Sequence, residues 1–220
     1  MNLALFDFDG TITRADTWTE FLRFSATPQR MLAASVILSP LMVGYKLGFV
    51  SARTARPLVA KVAFQGRKSV IVRRLGRKYA ADVLPDLLQP QALERIAWHQ
   101  EHGDTVVVVS GSLDVYLTHW CKSMKVDLIC TQLEDANGTL TGKYVGGDCS
   151  GGEKLRRIAE RYDLARYPVI YAYGDTVEDR EMLEIAHEKY YRWEKIADCS
   201  SLSAEHPGSA RLNPNGESDY

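Results

Sequence analysis

Residues 3–13 read Leu-Ala-Leu-Phe-Asp-Phe-Asp-Gly-Thr-Ile-Thr: an apolar run that stops on two acids, Asp7 and Asp9, with Gly10 and Thr11 directly behind them. An apolar run of this length ending on an acid predicts a buried strand that carries the acid at its carboxyl end. Residues 105–112, TVVVVSGS, repeat the design with a β-branched run that gives way to Ser110, Gly111 and Ser112. VDLICTQL (126–133) and PVIYAYGD (168–175) supply two more strands, and helical stretches at 113–123 and 153–162 precede them. Such alternation predicts an α/β fold, a Rossmann-like doubly wound parallel sheet with helices on its faces. Between the third strand and the second helix lies LEDANGTLTGKYV, where Asn137-Gly138 predicts a hairpin turn, expected as an excursion from the main sheet.

The chain has 220 residues, 45% of them hydrophobic and 25% charged, enough for a real core with a sizeable insertion. Its net charge of −1 hides an asymmetry: residues 28–81 hold eleven Lys or Arg and no acid, leaving −12 for the rest. Cysteines 121, 130, 149 and 199 lack metal-type spacing, and the acids begin seven residues from the start, so free thiols and a cytoplasmic location are expected. The histidines form no metal-binding pattern either, so any metal would be held by oxygens.

In open α/β sheets functional residues collect at the carboxyl ends of strands, so Asp7, Ser110 and Asp175 should converge despite their separation in sequence. The set formed by DFDGT, the strand ending in Ser-Gly-Ser, a lysine early in a later helix and GDTVED (174–179) resembles the four ordered motifs of the haloacid dehalogenase superfamily, subfamily IB. The Ser-Gly-Ser and the long insert after the first strand resemble its phosphoserine-phosphatase-like branch. The resemblance implies a Mg²⁺-dependent phosphomonoester hydrolase working through an aspartyl-phosphate. A phosphate monoester is anionic and yields to a carboxylate only where a cation offsets the repulsion and the leaving oxygen receives a proton. Asp7 is then the nucleophile, and Asp9 first gives and then takes the proton. Asp175 would bind Mg²⁺ with Asp7 and the backbone carbonyl of Asp9, because this hard cation prefers oxygen ligands. Asp179 would orient a metal-bound water or hold the lysine. Thr11, Ser110, the Gly111 N–H and Lys154 would hold the phosphate oxygens, with Arg156 as the alternative cation. Lys154 sits in the first turn of a helix, where a cation opposes the helix dipole and therefore calls for a functional reason.

The organisation expected is a core of residues 1–13 and 86–196, a helical C1-type cap at 14–85 with Asp16 as a helix N-cap, and a disordered tail at 197–220. Residues 31–50 are almost wholly apolar, but Pro40 and Lys46 argue against a membrane span. Two readings stay open for this cap. It is either a buried helix pair over a small substrate, or an amphipathic face, followed by the basic stretch 66–78, that rests on the inner face of an anionic membrane. The first suits phosphoserine or a sugar phosphate; the second suits a lipid phosphate such as phosphatidylglycerophosphate or lysophosphatidate. No nucleic-acid partner is expected. A non-catalytic phospho-acceptor signalling domain is the rival of another class, although it would leave Asp9 and the basic insert without a role.

Overall fold

The computed structural model describes residues 1–27, 29–30, 52–200 and 202. Four strands follow the sequence reading: β1 (Leu3–Phe6), β2 (Thr105–Leu113), β3 (Asp127–Ala136) and, after β4 (Thr139–Val145), β5 (Ile170–Gly174). Helices α1 (Thr17–Ser25), α2 (Ala52–Phe64), α3 (Ser69–Asp82), α4 (Leu84–Leu87) and α5 (Pro90–Glu101) lie between β1 and β2. Further along come α6 (Asp114–Met124), α7 (Gly152–Arg161) and α8 (Arg180–Glu184), then β6 (Glu188–Tyr191) and β7 (Glu194–Ile196). The sheet order is β4-β3-β2-β1-β5-β6-β7, parallel at its centre with an antiparallel strand at each edge.

The strand period of two divides β1 between two cores. Ala4 and Phe6 face one that includes Phe21, Phe64, Tyr79 and Tyr116; Leu3 and Leu5 face another with Ile158, Met182 and Leu183. Helices therefore cover both faces, and the strand ends are left as the open rim.

Asn137 and Gly138 take φ of 53° and 79° in the expected turn. The hairpin is, however, no excursion. Residues 127–131 of β3 pair with β2 and residues 132–136 pair with β4, because β3 is long enough to outrun its first partner. Strand β4 thereby becomes the sheet's edge, and it also docks the insert: Ser69 N donates to Gly138 O at 3.0 Å, and Leu140 exchanges backbone bonds with Gly66 and Arg67.

Asp16 caps α1 by accepting from Thr19 N at 3.2 Å, as its sequence position predicts. On α3 the buried stripe is Ser69, Val72, Gly76 and Tyr79. A Cβ on Gly76 would lie 2.0 Å from Val115 O, so only glycine lets this basic helix sit so close to the start of α6. The apolar residues 31–50, on which the membrane reading partly rests, lie outside the described residues. Among the described residues no helix is long and apolar enough to cross a membrane. The expected tail boundary at 197 moves outward, since Cys199 and Leu202 pack into the second core.

Candidate active site

Asp7 leaves β1 in strand geometry, its N–H donating to Tyr173 O at 2.9 Å, and its side chain is buried. Beyond it the chain must turn sharply. Gly10 does so with φ of 81°, and a Cβ there would lie 2.1 Å from Asp175 Oδ2, so the residue must be glycine for both conformation and space. Gln89 clamps the turn: its Nε2 lies 3.0, 3.0 and 3.1 Å from the carbonyl oxygens of Gly10, Thr11 and Thr13.

Lys154 reaches the same point from the first turn of α7. Its Nζ donates to Asp7 Oδ1 at 2.5 Å and to Asp179 Oδ1 at 2.6 Å, with all three side chains buried. Burial alone would lower this ammonium, but Asp179 and Asp7 hold it well above the ordinary lysine range. Asp179 Oδ2 accepts from Asp175 N, Thr176 N and Thr176 Oγ1 at 3.1, 3.0 and 3.2 Å, which fixes the turn that presents Asp175. Thr11 Oγ1 donates to Asp175 Oδ1 at 3.2 Å, and Arg192 Nε holds Asp175 O at 3.2 Å. Arg156, the alternative cation, is instead engaged with Glu153 and Glu160 on the exposed face of α7.

Among the described residues, Asp7, Asp175 and Asp179 bring carboxylate oxygens within 4.8 Å of one another. Burial, then repulsion from Asp179, pushes Asp7 well above the usual carboxylate range against the pull of Lys154. The same two causes push Asp175 up to about 7. Crowded, hard oxygen donors of this kind suit Mg²⁺, which would relieve the repulsion.

Asp9 has different company. Its Oδ1 accepts from Thr17 N at 2.8 Å and Thr17 Oγ1 at 2.5 Å, and its Oδ2 accepts from Ser112 Oγ. Tyr116 OH lies 3.0 Å from Thr17 Oγ1, and Ser112 N donates to Ser110 Oγ at 3.0 Å. Burial and then Asp16 raise the Asp9 carboxyl, while the bonds from Ser112 and Thr17 lower it. The site thus joins two groups of the expected residues. Asp7, Thr11, Lys154, Asp175 and Asp179 form one, and Asp9, Ser110 and Gly111 are linked through Ser112. Asp9's side chain is hydrogen-bonded to hydroxyls and stands apart from the cluster of Asp7, Asp175 and Asp179.

Sequence reasoning missed Thr17, Gln89, Ser112 and Tyr116. Only Ser112, the third residue of the Ser-Gly-Ser motif, carried a local signal; Gln89 and Tyr116 matter through partners distant in sequence, and Thr17 meets Asp9, eight residues before it, only because the chain turns back after Gly10.

Known proteins share much of this chain's sequence and fold. Protein CicA from Caulobacter vibrioides is 32% identical over 195 residues, covering 86% of this chain and 85% of that protein. A crystal structure of a protein of unknown function from Bordetella pertussis Tohama I superposes with a TM-score of 0.74 at 24% identity, covering 86% of this chain and 89% of that one. A phosphoserine phosphatase, in a phospho-aspartyl intermediate analogue, superposes with a TM-score of 0.60 at 19% identity, covering 86% and 85%; it shares the fold. The family model for haloacid dehalogenase-like hydrolases matches residues 4–184, and the chain belongs to that family.

Proposed function

We propose that the chain is a Mg²⁺-dependent phosphomonoester hydrolase in which Asp7 is the nucleophile and Asp9 the proton carrier. One observation carries this reading: two acids two residues apart sit in opposite surroundings, Asp7 against a buried ammonium and Asp9 among hydroxyls. A bound Mg²⁺, held by Asp7, Asp175 and the Asp9 carbonyl, would supply charge neutralisation for the incoming phosphate.

Each remaining step falls to the protein's own groups. An Asp7 carboxylate oxygen bonds to phosphorus as the bond to the leaving oxygen breaks, and Asp9 delivers its proton to that oxygen. Water then attacks the aspartyl-phosphate, Asp9 takes its proton, and the bond from Asp7 to phosphorus breaks. Lys154 favours the ionised form of Asp7 against the burial that raises it and stands ready for phosphate oxygens, while Asp179 fixes Lys154. Ser110, the Gly111 N–H and Thr11 line the same rim as donors to those oxygens. Residues 1–13 and 86–196 act as the catalytic core, and residues 14–85 act as a cap selecting the organic part. Phosphate release from p-nitrophenyl phosphate with Mg²⁺ and its loss in EDTA test the reading; equal release in both contradicts it.

One observation favours peripheral contact with an anionic bilayer, the setting in which a lipid phosphate is the alternative substrate. On α3, Val70 and Ile71 are 63% and 51% exposed beside the exposed Arg74, Arg77 and Lys78. Each basic side chain at an anionic surface adds about 1 kcal/mol. Sedimentation with anionic but not neutral vesicles, lost when Arg74, Arg77 and Lys78 are changed to Glu, supports this reading; equal behaviour on both vesicles removes it.

A further inference from the structure

The rim carries charge that the mechanism above does not use. Arg56 reaches across from α2, and its Nη1 donates to Glu178 Oε2 at 3.0 Å. The same nitrogen lies 3.6 Å from Asp148 Oδ2, an ion pair beyond hydrogen-bonding distance. Both acids belong to the other side of the rim, Asp148 in the loop before α7 and Glu178 in the turn before α8. Gly111 lies beside them: a Cβ built on it would be 3.0 Å from Arg56 Nη1 and 3.4 Å from Asp148 Oδ1. Arg56 and Asp148 therefore stand beside the residue that follows Ser110, at the strand ends where ligands bind in open α/β sheets, and Glu178 joins them through Arg56.

Its charges do not balance. One guanidinium faces two carboxylates, and it is hydrogen-bonded to only one of them. Asp148 Oδ1 accepts from Thr131 Oγ1 at 3.0 Å, whereas Oδ2 is buried with no hydrogen-bond partner among the described residues. The Asp148 side chain is only 4% exposed, so water does not serve it freely. Ser150 Oγ, two residues along the same loop, is likewise buried without a partner among the described residues. A buried acceptor left unpaired is costly, and more so when it bears charge. Burial accordingly raises the Asp148 carboxyl, against the pull of Arg56.

We propose that Asp148, backed by Glu178, is a specificity-determining residue that receives an amine on the organic part of the phosphomonoester. The inference rests on the phosphomonoesterase reading and names its substrate class. A protonated amine supplies both things the rim lacks, a hydrogen-bond donor for Asp148 Oδ2 and a second positive charge. An uncharged polyol supplies the donor alone. A carboxylate finds Arg56 already engaged by Glu178 and meets two acids, so it is refused by repulsion as well as by lack of a partner.

The test compares kcat/KM of the full-length protein with Mg²⁺ for phosphoethanolamine, glycerol 3-phosphate and 3-phosphoglycerate, with p-nitrophenyl phosphate as a control for the chemistry. Preference should fall in that order, with at least about tenfold between amine and carboxylate esters. Asp148→Asn should lower the amine-to-carboxylate ratio about tenfold, mainly through KM. Glu178→Gln should lower it too, because Arg56 then turns wholly to Asp148; it carries the test if the first variant does not fold. Partial loss of folding lowers both esters alike and leaves the ratio unmoved. Preference for 3-phosphoglycerate, or a ratio unchanged in the folded variants, overturns the proposal. Hydrolysis of none of the four substrates, the aryl ester included, overturns the phosphomonoesterase reading instead.

Discussion

Asp7 and Asp9 are the same side chain two residues apart, and burial raises the carboxyl of each. What surrounds them differs. Around Asp7 the partners are charges: Lys154 at 2.5 Å, with Asp179 and Asp175 close by. Around Asp9 they are hydroxyls from Thr17 and Ser112. A buried ammonium favours the charged, nucleophilic form of a carboxylate and opposes the rise that burial causes, whereas hydroxyls can donate to a carboxylate or accept from a carboxylic acid and so tolerate both forms. On the proposed reading, it is environment that separates the two roles that residue type alone leaves equal.

The comparison breaks most sharply at Asp7. Asp7→Asn removes the attacking charge and a metal-binding oxygen together, so phosphate release should fall by about three orders of magnitude or more while the far-ultraviolet circular dichroism spectrum is kept. Retention of about a tenth of the activity would end the covalent mechanism. Asp9→Asn should cost about 10²–10⁴-fold in turnover, the range of a lost general acid–base, with Mg²⁺ affinity in a calorimetric titration nearly unchanged. A large loss of Mg²⁺ binding would make the Asp9 side chain a ligand and erase the distinction between the two acids.

Lys154→Met tests the charged half as structure. It leaves Asp7 and Asp179 buried without their shared cation, and the urea unfolding free energy should drop by about 3–5 kcal/mol. Thr17→Val tests the hydroxyl half more gently. One charge-assisted bond to Asp9 is lost, so kcat should fall about tenfold and the limb of the pH–rate profile that titrates Asp9 should move to higher pH.

The smallest effect comes from a buried titrating group outside the site. His99 lies between Asp104 Oδ2 and Tyr173 OH, each at 2.9 Å, and burial holds its pKa below the ordinary 6.5. The unfolded chain therefore takes up a proton near that pH which the folded protein refuses, and stability should decline as pH falls below 6.5 until folded His99 titrates. His99→Gln should flatten the dependence of the urea unfolding free energy on pH just below about 6.5, removing a slope of at most about 1.4 kcal/mol for each step of one in pH, and leave Asp7 and Asp9 chemistry alone.

Where sequence spoke clearly, the physics was local. The β-branched run 106–109 is a buried strand, Asp16 caps α1, and Asn137-Gly138 supplies the turn whose positive φ those residues favour. Strands β6 and β7 stayed hidden because Glu188–Ile196 offers no turn signal: Arg192 and Trp193 take φ of 52° and 69°, a region L side chains seldom enter. Arg192 N donates to Gly174 O at 2.8 Å, so the strained turn is tied to the end of β5. Lys154 was legible because a cation in a helix's first turn calls for a partner. Gln89 and Arg56 were not, since the one clamps carbonyls 76 to 79 residues away and the other meets Glu178 across 122 residues. Such contacts come into being only when the sheet brings its strand ends together.

The division of labour between Asp7 and Asp9 is tested most directly by trapping the intermediate. Asp9→Asn should be mixed with p-nitrophenyl phosphate and Mg²⁺, quenched in acid, digested and read by peptide mass spectrometry. An aryl leaving group needs little protonation, so phosphorylation should proceed while hydrolysis, deprived of its base, lags. The account predicts a phosphoryl group on Asp7, labile to hydroxylamine and absent from Asp7→Asn. Release of p-nitrophenol beyond one equivalent with no phosphoryl group on Asp7, or with the group on another residue, would contradict it.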